Sequence, residues 1–125
     1  MPAAVIGGTG IYSLEDVEVD AKQVENEYGI AQIYVGRGER EDIIFLTRHG
    51  TDHSTPPHKI NYRANMKAIK DLGVQRILST YAVGSISADY PVSELAVLRD
   101  FLDFTHGRNF TFFDQIDESV GPVEM

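Results

Sequence analysis

Three of the four histidines, His49, His53 and His58, lie within ten residues of one another and follow directly on Arg48. Imidazole is a common zinc ligand, so a metal site is the first hypothesis for this stretch. The two prolines at 56 and 57 argue against it, because they prevent the segment from forming one helix that holds two histidines on one face. The arginine would also add a positive charge beside a cation. We therefore predict that the stretch holds no metal.

An anion suits the same residues better. A guanidinium presents a planar fork of donors that matches phosphate oxygens, and an imidazole beside it can donate a further hydrogen bond. On these grounds Arg48 and His49 are candidate phosphate ligands. A polar surface loop without a ligand remains the alternative on the residues alone.

A glycine-rich loop follows a short apolar run near the start of the chain: Gly7, Gly8, Thr9 and Gly10. A backbone without side chains can approach an anion closely, and the threonine adds a hydroxyl donor. The dinucleotide fingerprint would require a third glycine and then a helix. Ser13 stands in the third position and an acidic, alternating stretch follows. The pattern therefore leaves a phosphate loop and a purely structural turn open, and disfavours dinucleotide binding.

Apolar runs and glycine turns predict the elements that position these residues. Residues 60–72 are predicted to form an amphipathic helix with Tyr62, Met66, Ile69 and Leu72 at helical spacing and Ala64 and Ala68 alongside, ended by Gly73. A glycine turn at 36–38 predicts a hairpin between two strands. The order of elements indicates an α/β domain with a mixed β-sheet flanked by helices. Strands are predicted at residues 3–6, 17–24 (an edge strand), 30–35, 43–46, 74–80 and 95–98.

Three of the predicted strands end in small or donor residues. After the strand at 74–80 come Tyr81 and Ala82, which lead into a second turn at 82–85. Ligands of open α/β sheets bind at the carboxyl ends of the strands. We therefore expect these strand ends to converge on one anion.

Composition limits the partners. The net charge is −8, from 11 basic and 19 acidic residues, so binding to the phosphate backbone of nucleic acids is not expected. The sequence has no cysteine and no apolar run near the roughly 18 residues of a membrane helix. The N-terminus lacks the features of a signal peptide. We expect one domain over residues 1–125, in the cytoplasm, without a membrane partner.

Four blocks of sequence, VIGGTG, FLTRHGTDHSTPPHKINYRAN, STYAVGSI and DFLDFTHGRNFTFFD, resemble in order and spacing the methylthioadenosine phosphorylase branch of the purine nucleoside phosphorylases. The resemblance covers nearly the whole chain and corresponds to the N-terminal half of the family. It implies a nucleoside phosphorylase-like fold and an activity in purine salvage, in which phosphate cleaves a purine nucleoside into free base and ribose 1-phosphate. Inorganic phosphate would be a co-substrate, with no cofactor, and the family favours a homotrimer.

The resemblance also assigns roles to residues. The phosphate ligands carried over are Thr9, Arg48, His49, Tyr81 and Ala82, and His53 would lie near phosphate or ribose. His58 and Asn61 would build the loop and the helix start. Tyr81 is a departure, since relatives often have Thr, Ser or Asn there.

Length is the largest departure, because family members have about twice as many residues. The chain looks like a truncated half, and we expect little or no activity from it alone. The alternatives are a non-catalytic phosphate- or nucleotide-binding module, or an inactive truncated homologue. A dinucleotide-binding oxidoreductase is a third, less favoured reading.

Overall fold

The computed structural model describes residues 1–8, 17–50, 54–109 and 111–113. Within these ranges the chain forms five strands and one α-helix, with short 3₁₀ turns at Gly38–Arg40 and Pro57–Lys59. In chain order the elements are β1 (Ala3–Gly7), β2 (Val19–Asn26), β3 (Gly29–Gly36), β4 (Ile43–Thr47), α1 (Tyr62–Asp71) and β5 (Arg76–Ser79).

The five strands form one mixed sheet in the order β2-β3-β4-β1-β5. Strands β4, β1 and β5 run parallel, while β2 and β3 form an antiparallel hairpin whose second strand pairs antiparallel with β4. The predicted mixed sheet, the edge strand near residue 20 and the antiparallel pairing across the turn at 36–38 are therefore confirmed. In the parallel part, Gly7 lies opposite Thr47 and Ile6 opposite Ser79, so three carboxyl ends stand side by side.

The core lies between the sheet and α1. Ile69 of the helix packs with a layer of apolar strand residues: Ala4, Ile6, Ile33, Ile44 and Leu46. The helix predicted at residues 60–72 is confirmed with shorter bounds, but its predicted apolar face is wrong in part. Ala64, Ala68 and Ile69 are the buried residues, and Tyr62, Met66 and Leu72 are more than a third exposed. The physical reason is size, because the two alanines let the helix backbone come close to the sheet.

Both ends of α1 follow their predicted signals. The Asn61 side chain accepts a hydrogen bond from the Ala64 amide at 3.1 Å, and its Nδ2 donates to the Tyr28 carbonyl at 2.6 Å. It therefore caps the helix and ties the helix start to the β2–β3 turn. At the other end Gly73 adopts a φ of +71°, a left-handed conformation that favours glycine.

An ion pair also holds the helix. Lys67 Nζ lies 2.6 Å from an Asp71 carboxylate oxygen, four residues along the helix, and 3.7 Å from a Glu27 oxygen. The hydrogen bond with Asp71 raises the pKa of Lys67 above its usual value. Because these groups remain partly open to solvent, the pair contributes little to stability. No helix in the described part of the chain is long and apolar enough to cross a bilayer.

Two predicted elements differ from the structure. Residues 95–98, predicted as a strand, have no regular structure, and Leu95 and Val97 are fully exposed. These residues are apolar, as the prediction required. A strand, however, also needs a neighbouring strand to bond its backbone N–H and C=O groups, and the described residues offer none there. The turn predicted at 82–85 is likewise irregular backbone, and β5 is shorter than the predicted 74–80.

Candidate functional site

Arg48 lies across the carboxyl ends of the three parallel strands. It directly follows β4, and its amide donates to the Gly7 carbonyl at 3.1 Å, which extends the ladder between β4 and β1. Its Nη2 donates to the Thr80 carbonyl at 2.7 Å, just beyond β5. Since β1 stands between β4 and β5, the side chain spans the whole parallel part of the sheet. The three strand ends are therefore adjacent and joined by Arg48, while their convergence on one anion stays a prediction.

Gly8 leaves room for the Arg48 side chain to cross the end of β1. The residue is buried just beyond the end of β1, beneath the arginine. A Cβ atom added to it would lie 1.8 Å from Arg48 Nη2 and 2.8 Å from Arg48 Cζ, well inside van der Waals contact. The first residues of the glycine loop thus leave the space that the guanidinium occupies. Gly7 forms the last residue of β1 itself.

Tyr81 supports the guanidinium from a second side. The Arg48 Cζ atom lies 4.3 Å from the centroid of the Tyr81 ring, a cation–π contact. Tyr81 was predicted as a phosphate ligand, and the contact that the structure gives it is with the arginine. The next residue, Ala82, is exposed. The ring and the Thr80 carbonyl together hold the arginine in one orientation.

Two buried polar atoms at the strand ends have no hydrogen-bond partner among the described residues: Arg48 Nε and Thr47 Oγ1. Thr47 is only 6% exposed. Buried polar groups are nearly always hydrogen-bonded, since an unsatisfied one costs about 1–3 kcal/mol. The site therefore has hydrogen-bonding capacity to offer a ligand. Sequence reasoning missed Thr47, although a hydroxyl residue at a strand end immediately before Arg48 was a usable signal.

His49 is oriented by the loop that follows β4. Its Nδ1 lies 3.1 Å from the Thr55 carbonyl oxygen, and the Thr55 amide donates to the His49 carbonyl at 3.0 Å. A carbonyl can only accept, so the first contact requires the proton on Nδ1. These two contacts hold the imidazole of His49, the residue next to Arg48, in one orientation. Three other predicted site residues lie outside the described residues: Thr9, Gly10 and His53.

His58 lies away from the strand ends. It is exposed in the 3₁₀ turn before α1 and lines a cavity of about 300 Å³ with Lys59, Arg63 and Arg108, a cavity that Arg48 does not line. In the ranges that the structure describes, no three His, Cys, Asp or Glu side chains are grouped so as to hold a metal ion.

The arrangement therefore forms a candidate site for a small anion. A guanidinium held by a carbonyl and an aromatic ring needs little reorganisation to accept an oxyanion, and charge-assisted hydrogen bonds are among the stronger ones in proteins. The fold and site define an α/β protein with a candidate anion site at the carboxyl ends of its parallel strands.

The chain belongs to the phosphorylase superfamily, whose family model matches residues 2–125. It is 46% identical over 112 residues to a probable 6-oxopurine nucleoside phosphorylase of Thermococcus kodakarensis, and 42% identical over 123 residues to an S-methyl-5'-thioadenosine phosphorylase of Thermofilum pendens. These alignments cover 89% and 95% of the chain. The resemblance of the sequence to this family is thereby confirmed.

Solved structures give the same result for the fold. A methylthioadenosine phosphorylase from Schistosoma mansoni, in complex with tubercidin, superposes with a TM-score of 0.81 at 36% identity over 89% of the chain. The chain spans less than half the length of these relatives: 42% and 44% of the two curated sequences and 40% of the solved chain. Its mixed sheet and helix thus correspond to part of the phosphorylase fold.

Proposed function

We propose that the chain supplies the phosphate-binding part of a purine nucleoside phosphorylase. In this reaction a phosphate oxygen attacks C1′ of the nucleoside, the bond from C1′ to the purine nitrogen breaks, and the products are the free base and ribose 1-phosphate. The single observation that carries the proposal is the Arg48 guanidinium, held across three strand ends with a buried, unpartnered Nε. Inorganic phosphate is the co-substrate, no cofactor takes part, and the reaction takes place in the cytoplasm.

The geometry suits this chemistry in two ways. A phosphate held by Arg48 is a reactant kept in one position, which removes part of the entropic barrier to attack. Its negative charge also stabilises the positive charge that develops on the sugar as the base departs. His49 lies next to the arginine, and with the Nδ1 proton donated to Thr55 its Nε2 accepts a hydrogen bond from a protonated phosphate oxygen in the neutral form and donates one only as imidazolium. Thr47 Oγ1, buried one residue earlier at the end of β4, is a further polar atom without a hydrogen-bond partner among the described residues.

The substrate class follows from the family. The relatives are named for 6-oxopurine nucleosides and for S-methyl-5'-thioadenosine, so we propose a purine nucleoside as the second substrate. The residues that choose the base and the 5′ substituent are proposed to belong to the part of the fold that the chain does not span. The family resemblance favours a homotrimer for the completed protein.

Two measurements on the 125-residue chain test this function. Calorimetric titration with inorganic phosphate is expected to give saturable binding to one site. Phosphate-dependent release of purine from inosine and from methylthioadenosine is expected to be negligible, because the base site is incomplete. Absence of phosphate binding would overturn the proposal, and efficient turnover by this chain alone would overturn the division of the site between two parts.

A second candidate function is a phosphate-binding module without catalysis. It is favoured by one observation, namely that the arginine site is formed within a chain that spans only 40–44% of the relatives. The two functions differ once the fold is completed. A phosphorylase then turns over nucleoside, whereas a binding module continues to bind phosphate without releasing base.

The cation–π contact between Arg48 and Tyr81 leads to a prediction about two Tyr81 variants. Replacing Tyr81 by leucine is expected to weaken phosphate binding by about two- to thirty-fold, because a cation–π contact contributes roughly 0.5–2 kcal/mol to holding the guanidinium. Tyr81→Phe keeps the ring and is expected to bind phosphate like the unmodified chain. Calorimetric titration of both variants distinguishes a supporting ring from a hydroxyl ligand. If phenylalanine is as damaging as leucine, the hydroxyl is the functional group and Tyr81 contacts phosphate directly.

A further inference from the structure

The cavity at the start of α1, which we call the α1 cavity, is lined by basic side chains. Its volume of about 300 Å³ is at the lower end of the range for small-molecule sites. The charged or chargeable nitrogen groups in its lining belong to His58, Lys59, Arg63 and Arg108, and no described aspartate or glutamate lines it. The chain as a whole has 19 acidic and 11 basic residues. Such a lining therefore runs against the composition and indicates an anionic ligand.

The two arginines of the α1 cavity are held by aromatic rings. The Arg63 Cζ atom lies 5.0 Å from the centroid of the Tyr28 ring, and the Arg108 Cζ atom lies 5.6 Å from that of Tyr62. Arg108 Nη1 also donates to the Tyr62 hydroxyl at 3.2 Å, and Arg63 Nη1 donates to the Thr111 carbonyl at 3.4 Å. Both guanidinium groups are thus oriented without a ligand, as the arginine at the strand ends is.

The positive charge of Arg108 is not neutralised within the described part of the chain, where it forms no ion pair. Hydrogen bonds from Thr105 lower the pKa of the Asp103 carboxyl, and the charge of Arg108 lowers it by a smaller amount. This carboxylate is committed to Thr105, whose Oγ1 donates to Asp103 Oδ1 at 2.7 Å, and it does not line the cavity. Arg108 is half-buried, so its charge is available mainly to a ligand in the cavity.

The lining favours a compact ligand with several negative charges. Guanidinium groups bind phosphate oxygens in pairs, and a lysine adds a point charge. Each tyrosine ring already has a guanidinium over one face, and the Phe112 ring packs edge-on against Tyr28 at 5.2 Å, so little aromatic surface is left for a base. The helix start adds little, because the Ala64 amide already donates to the Asn61 side chain.

We propose that the α1 cavity is a second anion site, which binds a diphosphate group, either free or as part of a small nucleotide. This site goes beyond the proposed function, since phosphorolysis uses one inorganic phosphate and no diphosphate. Inorganic phosphate has fewer charges and fewer oxygens for these side chains, so it binds the α1 cavity more weakly than diphosphate does. The phosphate site at Arg48 is separate, because Arg48 does not line this cavity.

The test is calorimetric titration with inorganic pyrophosphate of the Arg48→Ala variant of the 125-residue chain. The substitution removes the arginine of the phosphate site and leaves the lining of the α1 cavity intact. We expect saturable binding to one site and a rise in the unfolding midpoint with pyrophosphate concentration, because a ligand that binds the folded state stabilises it. Absence of binding overturns the proposal.

Two matched pairs of variants, each made in the Arg48→Ala background, locate the ligand. Arg108→Gln and Lys59→Gln are each expected to weaken pyrophosphate binding by at least about tenfold, because each removes a charged hydrogen-bond donor. Arg40→Gln and Lys70→Gln remove exposed cations outside the lining and are expected to leave the affinity unchanged. Equal losses in all four variants would overturn the proposal, since they would mean general attraction. If Arg108→Gln fails to fold, the exposed Lys59 still decides the matter.

Titration with ADP and with adenosine separates the two sources of a diphosphate group. Binding of ADP with an affinity like that of pyrophosphate supports a nucleotide ligand, and binding of pyrophosphate without ADP supports free diphosphate. Adenosine is expected not to bind, and binding of adenosine as tight as that of ADP would overturn the proposal because the base would then be the recognised group.

These readouts are independent of the proposed function. Pyrophosphate binding that is lost in Arg108→Gln supports the α1 cavity whether or not the chain takes part in phosphorolysis. Binding of inorganic phosphate by the unmodified chain, with no pyrophosphate binding by the Arg48→Ala variant, supports the site at the strand ends and overturns the second site alone.

Discussion

Arg48→Ala is expected to weaken the binding of inorganic phosphate by about ten- to one-hundred-and-fifty-fold, because a hydrogen bond to a charged group contributes about 1.5–3 kcal/mol. The guanidinium is the one cation that the structure fixes across all three described parallel strand ends, through the Thr80 carbonyl and the Tyr81 ring. Calorimetric titration with phosphate measures the effect directly. In a protein that carries the whole phosphorylase fold, the same substitution is expected to lower phosphorolysis as well.

Two further variants show whether the effect comes from charge or from geometry. Arg40→Ala removes an exposed arginine in the turn after β3 and is expected to leave phosphate affinity unchanged. Arg48→Lys keeps the charge but loses the planar fork and the stacking surface, so most of the affinity is expected to be lost. Equal losses in Arg40→Ala and Arg48→Ala would mean that phosphate binds by general attraction, without a site at the strand ends.

Gly8→Ala is expected to impair phosphate binding nearly as strongly as Arg48→Ala while changing thermal stability little. The added Cβ would lie 1.8 Å from Arg48 Nη2, so the arginine has to leave its place across the strand ends. The displaced atoms belong to the end of a long side chain, which can swing away at small cost to the fold. The measurements are phosphate affinity by calorimetry and the unfolding midpoint by circular dichroism.

Gly84→Ala is the matched control for this substitution. A Cβ at Gly84 meets no heavy atom within 4 Å, and its φ does not require glycine. We therefore expect no change in phosphate affinity. Tight phosphate binding by Gly8→Ala would contradict the site, because it would mean that the position of Arg48 does not matter.

Much of the fold could be predicted from local patterns. The apolar runs at 3–6 and 43–46 predicted β1 and β4, because such runs between turn residues are typical of buried strands. The helix and its two ends followed from spacing, from Asn61 and from Gly73. The strand expected at 95–98 failed for a reason that no local pattern reveals. Its formation depends on a neighbouring strand, and the described residues contain none beside it.

The candidate site was predictable in its residue types and less so in its contacts. Arg48 and the glycine loop could be singled out because guanidinium and bare backbone suit phosphate. The support by Tyr81 could not be foreseen, since 33 positions separate the two residues in the sequence and only the sheet order brings them together. The close approach of Arg48 to Gly8 depends equally on β1 lying between β4 and β5.

The hydrogen bond from Arg48 to the Thr80 carbonyl has a thermodynamic consequence. It anchors the anion-binding group to the end of β5, the same strand whose outer edge is open. Whatever orders β5 also orders the guanidinium, so a phosphate bound by Arg48 and an ordered end of β5 each favour the other. Such coupling is reciprocal, since one free energy governs both effects. Phosphate would then slow the local opening of β5 as well as fill the site.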